Sequence, residues 1–235
     1  MKKLLFGTLL FFVLLPLSAQ NIQFITDGKK NIATFELYKT LEHGALYYFT
    51  DFKMNKNGYD EAYSEISKYW SIGKSSWSIT AQYNAGLSFN KDSISPVNGT
   101  HHSVGFHIYP VYLGGISKAF SIGKNFNISV DLLYRHQNYL YLPNKERHDG
   151  VQITTVFCEN LDKISISGYS DIWLNQNGLY YIFEPQAWYK FSKRIYAGLE
   201  WRNSNYSDVL NTDINGDHTA NYANYLMIGF KWNLE

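Results

Sequence analysis

The chain has 235 residues, 45% of them hydrophobic and 17% aromatic, yet only 17% are charged. Its single cysteine excludes a disulfide scaffold and any paired-cysteine zinc or redox site. The 21 basic residues fall to 19 once Lys2 and Lys3 of the leader are set aside, against 20 acidic ones, so no strongly basic face exists for nucleic acid.

Met1 to Gln20 reads MKKLLFGTLLFFVLLPLSAQ. Lys2 and Lys3 make a positive start, Leu4 to Leu15 an apolar stretch, and Pro16 breaks it before the small residues Ser18 and Ala19. That order is a signal peptide. Its apolar run is shorter than the about 20 residues a membrane-spanning helix needs. The expectation is a leader over 1–19 and one exported domain over 20–235.

Beyond the leader the dominant period is two, the mark of strands. In Ser76 to Phe89, Trp77, Ile79, Ala81, Tyr83 and Leu87 alternate with Ser78, Thr80, Gln82, Asn84 and Gly86. Asn125 to Asn138 repeats it, with Phe126, Ile128, Val130, Leu132 and Tyr134 against Asn127, Ser129, Asp131 and Arg135. In chain order the predicted strands are 22–27, 31–39, 43–53, 60–71, 76–89, 102–119, 125–140, 150–160, 163–174, 178–191, 194–205 and 220–233. Many exceed the roughly 5 or 6 residues of a sandwich strand and suit membrane strands of about 9 to 11.

The connections sort by length. Met54–Tyr59, Asn90–His101, Tyr141–Asp149 and Tyr206–Thr219 are long and polar and fall on one side. Ile72–Ser75, Ser121–Lys124, Leu161–Asp162 and Ser192–Lys193 are short and fall on the other. Aromatic residues crowd the strand ends, among them Tyr69, Trp70, Trp77, Phe120 and Trp232, as membrane-interface girdles do. The fold class expected is all-β: an antiparallel up-and-down transmembrane β-barrel of 12 strands in an outer membrane. A secreted, soluble sheet protein is the competing reading, and it would need a second layer to cover the apolar faces.

Several phrases carry a resemblance. Asn21-Ile-Gln-Phe, Asp27-Gly28, Thr34-Phe35-Glu36 and Phe49-Thr50-Asp51 open the domain. Gln82-Tyr83-Asn84-Ala85-Gly86, Gly168-Tyr169-Ser170-Asp171-Ile172-Trp173, Glu184-Pro185-Gln186-Ala187-Trp188-Tyr189 and the closing Gly229-Phe230-Lys231-Trp232 follow. Together these resemble the Tsx-like outer-membrane barrels, most closely a branch described only as a domain of unknown function. Ala85 departs from the glycine expected there, and the chain ends Asn-Leu-Glu rather than on an aromatic. The resemblance implies a 12-stranded barrel and, by wider kinship, a nucleoside-specific channel.

Lipid-facing positions must be apolar, so charged strand residues are expected to point inward. That rule nominates Glu36, Asp51, Glu61, Glu65, Asp131, Arg135, Asp171, Glu184, Lys190, Glu200 and Arg202, a mixed set with no large single-sign field. Inward phase also carries Tyr47 with Asp51, Tyr169 and Trp173 with Asp171, and Gln186 and Trp188 with Glu184. An aromatic wall beside carboxylates and an amide could stack a base and bind a sugar, though the same side chains could equally serve as packing that fills the lumen. Pro185 lacks an N–H in mid-strand and predicts a bulge or an irregular stretch.

The remaining motifs are weaker. Gly73-Lys74-Ser75 imitates the end of a P-loop, but Lys68 stands where its first glycine belongs. His101, His102 and His107 lack carboxylate or thiol partners at metal spacing, and Cys158 reads as a small wall residue. No metal, cofactor or catalytic residue is expected. The expected partners are membrane lipids, a small polar solute such as a nucleoside, and the barrel-assembly machinery. An enzyme acting on lipid would need a rim dyad, for which His136 with Ser170 is the sole suggestion. A structural or adhesive barrel would act through its outer loops, where Asp208, Asn211, Asp213, Asn215 and Asp217 cluster.

Overall fold

The computed structural model describes residues 19–56, 58–90, 104–138, 147–176, 178–206 and 223–234. They form twelve strands: β1 (Ala19–Thr26), β2 (Lys30–Leu41), β3 (Gly44–Asn55), β4 (Gly58–Ser71), β5 (Trp77–Asn90), β6 (Val104–Ile122), β7 (Phe126–Asn138), β8 (Arg147–Asn160), β9 (Ile164–Asn175), β10 (Gly178–Lys190), β11 (Ile195–Ser204) and β12 (Ala223–Asn233). Each pairs antiparallel with its neighbours in sequence, and β12 returns to β1 to close the barrel. Closure leaves no sheet edge, which a strand protein in lipid requires.

The closing seam joins the two ends of the chain. Ile22 stands opposite Trp232 and Phe24 opposite Phe230, so the first and last phrases of the resemblance become cross-strand neighbours. The same holds for Thr34 with Asp51 and for Tyr169 with Glu184. Along every strand the apolar phase faces out. Phe24, Ile79, Leu132, Ile172, Leu226 and Ile228 are all exposed and make part of the lipid-facing band.

The connections β2–β3, β4–β5, β6–β7, β8–β9 and β10–β11 and both described chain ends lie at one rim, the inner one by the rule for such barrels, while the short β1–β2, β3–β4 and β9–β10 turns lie at the other. At the inner rim Trp70, Trp77, Phe120 and Trp232 are exposed as expected of a girdle. Lys118 lies 4.7 Å from the Trp77 ring and 5.0 Å from that of Phe120, its stem on the apolar surface and its charge at the interface. Tyr69 is a correction: it points inward and its hydroxyl donates to Asp131 Oδ2 at 3.0 Å.

Two further expectations change, that for Pro185 only in part. The Met54–Tyr59 connection is no long loop, because β3 and β4 run through Asn55 and Gly58. Three of the expected long loops fall mostly outside the described residues, as do the leader, His101, His102 and the Asp208–Asp217 cluster; Ala19 already pairs with Tyr38 in β1 and β2. Pro185 causes no bulge. It stays in register opposite Gly168, and only its ladder to β11 is interrupted, between the pairs Phe183–Asn203 and Gln186–Glu200. The register shifts lie instead at Lys53/Met54 and at Asn84/Gly86, opposite the stretch of β6 that carries Pro110.

The β1–β2 turn is held by its own side chains. Gly28 adopts a φ of 84°, open to glycine but costly for other residues. The Asp27 carboxylate accepts the Lys30 N–H at 2.6 Å and the Lys29 N–H at 2.8 Å, and these hold its carboxyl below the usual range. A carboxylate with a lowered pKa stabilises the fold above the ordinary carboxylate range, and that contribution is lost as pH falls through the lowered value. Asp27→Asn is therefore expected to flatten the acid limb of the unfolding profile, measured by urea titration across pH, with its largest loss of stability above the ordinary carboxylate range.

Candidate functional site

The inward phase is polar for most of its length, and hydrogen bonds organise it into clusters. In the inner half Glu36 takes three donors: Asn21 Nδ2 at 2.7 Å, Gln23 Nε2 at 3.1 Å and the Tyr47 hydroxyl at 2.9 Å. Asp131 is buried and accepts from Tyr69 and from Gln82 Nε2 at 2.9 Å. Glu36, Tyr47 and Asp131 are thus walls of the lumen held by neutral donors.

A second cluster runs over β9, β10 and β11. Glu184 Oε2 accepts from the Tyr169 hydroxyl at 2.9 Å and pairs with Arg202 Nη1 at 3.1 Å. Gln186 Nε2 donates to Glu200 Oε2 at 2.6 Å, and Trp188 Nε1 donates to Gln186 Oε1 at 2.9 Å. Trp188 points inward but is only 1% exposed. It packs with Ile25, Ile32 and Met227 behind the seam, and Lys231 Nζ lies 4.5 Å from its ring. Its faces are occupied, so it acts as packing rather than as a stacking platform. Gly198 permits this: a Cβ there would sit 2.7 Å from Trp188 Cε3 and 2.2 Å from the Ala187 carbonyl.

Between these clusters lies a cavity of about 60 Å³, open in part to solvent. It is lined from β3 through β11 and brings together Asp51, Glu65, Arg135, Tyr169, Asp171, Trp173 and Arg202, seven of the residues nominated by phase. Arg135 donates to Gln152 Oε1 at 3.0 Å and to Gln137 Oε1 at 3.2 Å, and its guanidinium lies 5.0 Å from the Trp173 ring. Toward the outer mouth Trp173 stacks on Tyr180 at 5.6 Å, with Tyr206 edge-on at 4.8 Å from Trp173. Lys53, which also lines the cavity, pairs with Glu61 at 2.7 Å.

Lys190 does not join these groups. It keeps the inward phase but is the last residue of β10, exposed at the inner rim. Phase counting missed Lys53, Gln82, Gln152 and Lys231, although each stands an even number of positions from a nominated or motif residue on its own strand. The charge balance stays close to that of the nominated set, which held eight acids and three bases. Between the rims eight inward carboxylates (Glu36, Asp51, Glu61, Glu65, Asp131, Asp171, Glu184, Glu200) face four described bases (Lys53, Arg135, Arg202, Lys231). Among the described residues carboxyl groups therefore outnumber bases along the lumen.

The lipid-side dyad does not form. His136 Nδ1 lies 2.6 Å from Asp149 Oδ1, while Ser170 pairs through Thr155 with the level of Val130. Six positions separate that level from His136, about 20 Å along a strand. Among the described residues no group of three His, Cys, Asp or Glu side chains could hold a metal ion.

A closed 12-stranded barrel with an apolar outer band and a polar lumen defines the porin class of fold. The chain belongs to a family described as a domain of unknown function (DUF5020), whose model matches residues 19–233. Among solved structures it is similar to a NanC porin, with a TM-score of 0.55 and 11% identity over 92% of this chain and 99% of that one. Two KdgM porin structures have TM-scores of 0.52 and 0.51 at 9% and 10% identity, each over 92% of this chain and 99% of the other; one is in complex with disordered oligogalacturonate. At such identities the likeness is one of fold. No curated protein matches the sequence significantly.

Proposed function

We propose that the protein is a passive outer-membrane channel for small polar solutes. It would be exported by the leader at 1–19, inserted by the barrel-assembly machinery and seated in lipid by its aromatic girdle. The observation that carries this reading is the solvent-open cavity in mid-lumen. The finer reading is an uncharged solute of nucleoside type, in keeping with the Tsx-like resemblance. Phe49, Tyr63 and Tyr169 supply aromatic surface, and Asn84, Gln137 and Gln152 supply amides, around one space. Rings with a few convergent polar groups suit a flat polar solute. Oligogalacturonate, bound by a KdgM porin, is a polyanion. An acidic lumen repels such a solute.

Liposome swelling checks both levels. Vesicles holding the refolded barrel should swell in uridine or adenosine faster than empty vesicles, and faster than in a galacturonate trimer. Swelling no faster than in protein-free vesicles would reject the channel. Equal rates for uridine and sugars of its size would reject nucleoside preference alone.

A further inference from the structure

The central cavity holds hydrogen-bond acceptors that its own donors leave over. Asp51, Glu65 and Asp171 line it, and each takes a neutral hydroxyl: Thr34 Oγ1 at 2.6 Å, Tyr63 OH at 2.6 Å and Thr154 Oγ1 at 2.5 Å respectively. Among the described residues no ion pair joins these three carboxylates to a base. The bases of the cavity are engaged elsewhere, Lys53 with Glu61, Arg202 with Glu184, and Arg135 with two glutamines and the Trp173 ring.

A second observation points to what is missing. Asn84 stands opposite Glu65 in the ladder between β5 and β4 and lines the same cavity. It is only 5% exposed, and its Oδ1 has no hydrogen-bond partner. A buried carbonyl oxygen left without a donor carries a desolvation penalty that a ligand N–H would remove. Glu65 and Asp171 belong to β4 and β9 but line this same cavity. Two carboxyl groups beside an orphan acceptor attract a donor-rich cation. The group that fits is one with several N–H donors and a positive charge. A bare metal ion fits poorly, because the set lacks three clustered ligands of the usual types.

We propose that the Glu65–Asn84–Asp171 wall of the cavity is a subsite for a protonated amine, so that the channel prefers small cationic or zwitterionic solutes to acidic ones. This rests on the channel reading above. The ammonium group would donate to Asn84 Oδ1 and to the carboxylates of Glu65 and Asp171. The acidic balance of the rest of the lumen would draw such solutes in from either mouth.

The test is made on the refolded barrel in a planar bilayer under a potassium chloride gradient, with the diamine putrescine added. The reversal potential should take the sign of potassium permeation, and putrescine should block the current saturably. Glu65→Gln with Asp171→Asn should weaken the block by roughly tenfold, the size expected for removing charges at close range. Asn84→Asp should strengthen it, an opposite shift that loss of packing would not produce. Heat-modifiable migration shows whether each variant folds, and Asn84→Asp decides the matter if the double variant does not. A chloride-directed reversal potential, or a block that neither substitution alters, overturns the subsite and leaves the channel standing. A barrel that folds and never conducts overturns both.

Discussion

Replacing Trp188 with alanine is expected to cost about 3–5 kcal/mol of stability, the usual range for removing a fully buried tryptophan. The reason is where it sits. Trp188 belongs to β10, yet it fills the space behind Ile25 of β1, Ile32 of β2 and Met227 of β12, where the barrel closes. Gly198 and Gly229 leave room for its ring: a Cβ on Gly229 would lie 3.1 Å from Trp188 Cη2. Alanine would open a void beside the seam and break the chain of hydrogen bonds from Trp188 through Gln186 to Glu200. Urea unfolding in detergent or lipid, followed by the loss of heat-modifiable migration, measures the change. Trp188→Phe should retain most of the packing and lose chiefly the bond from Nε1. Equal losses for the two variants would contradict the packing role.

Arg202→Met is expected to be comparably damaging, by about 3–5 kcal/mol, because it strands a buried carboxylate. Glu184 and Arg202 are both buried, and the 3.1 Å pair between them is joined by the Tyr169 hydroxyl. Removing the guanidinium leaves Glu184 with one neutral donor from that cluster in a confined space. Replacing the pair together, Arg202→Met with Glu184→Gln, should recover most of the loss, since no unbalanced charge remains. A double-mutant cycle by urea titration gives the coupling directly. Additive losses would mean that the pair is solvated well enough to stand apart.

The strands could be read closely from sequence because a barrel wall imposes one rule everywhere. Every residue faces lipid or lumen, so alternation persists over ten residues or more, as Trp77 to Leu87 shows. Phase alone then places Asp51, Glu65 and Asp171 inward, and all three line the cavity. What phase cannot supply is distance across the lumen. Tyr69 of β4 reaches Asp131 of β7, a contact set by curvature and by registers over two intervening strands. An aromatic residue at a strand end reads the same whether it faces lipid, like Trp70, or the lumen, like its neighbour Tyr69. The Met54–Tyr59 stretch looks like a loop by composition, yet Asn55 pairs directly with Gly58, which takes a φ of 107°. Pro185 reads as a break, but only the missing N–H interrupts the ladder and the register runs through it. For Trp188 the sequence leaves stacking surface and packing equally open, because it does not show that Gly198 and Gly229 bring the wall close around the ring.

The most direct test of the account is the single-channel conductance of the refolded protein, residues 20–235, in a planar bilayer. A solvent-open cavity inside a closed barrel predicts reproducible, ohmic steps that a small polar solute reduces in a saturable manner. A protein that is folded and heat-modifiable, yet inserts without passing current under any solute or voltage, would contradict it.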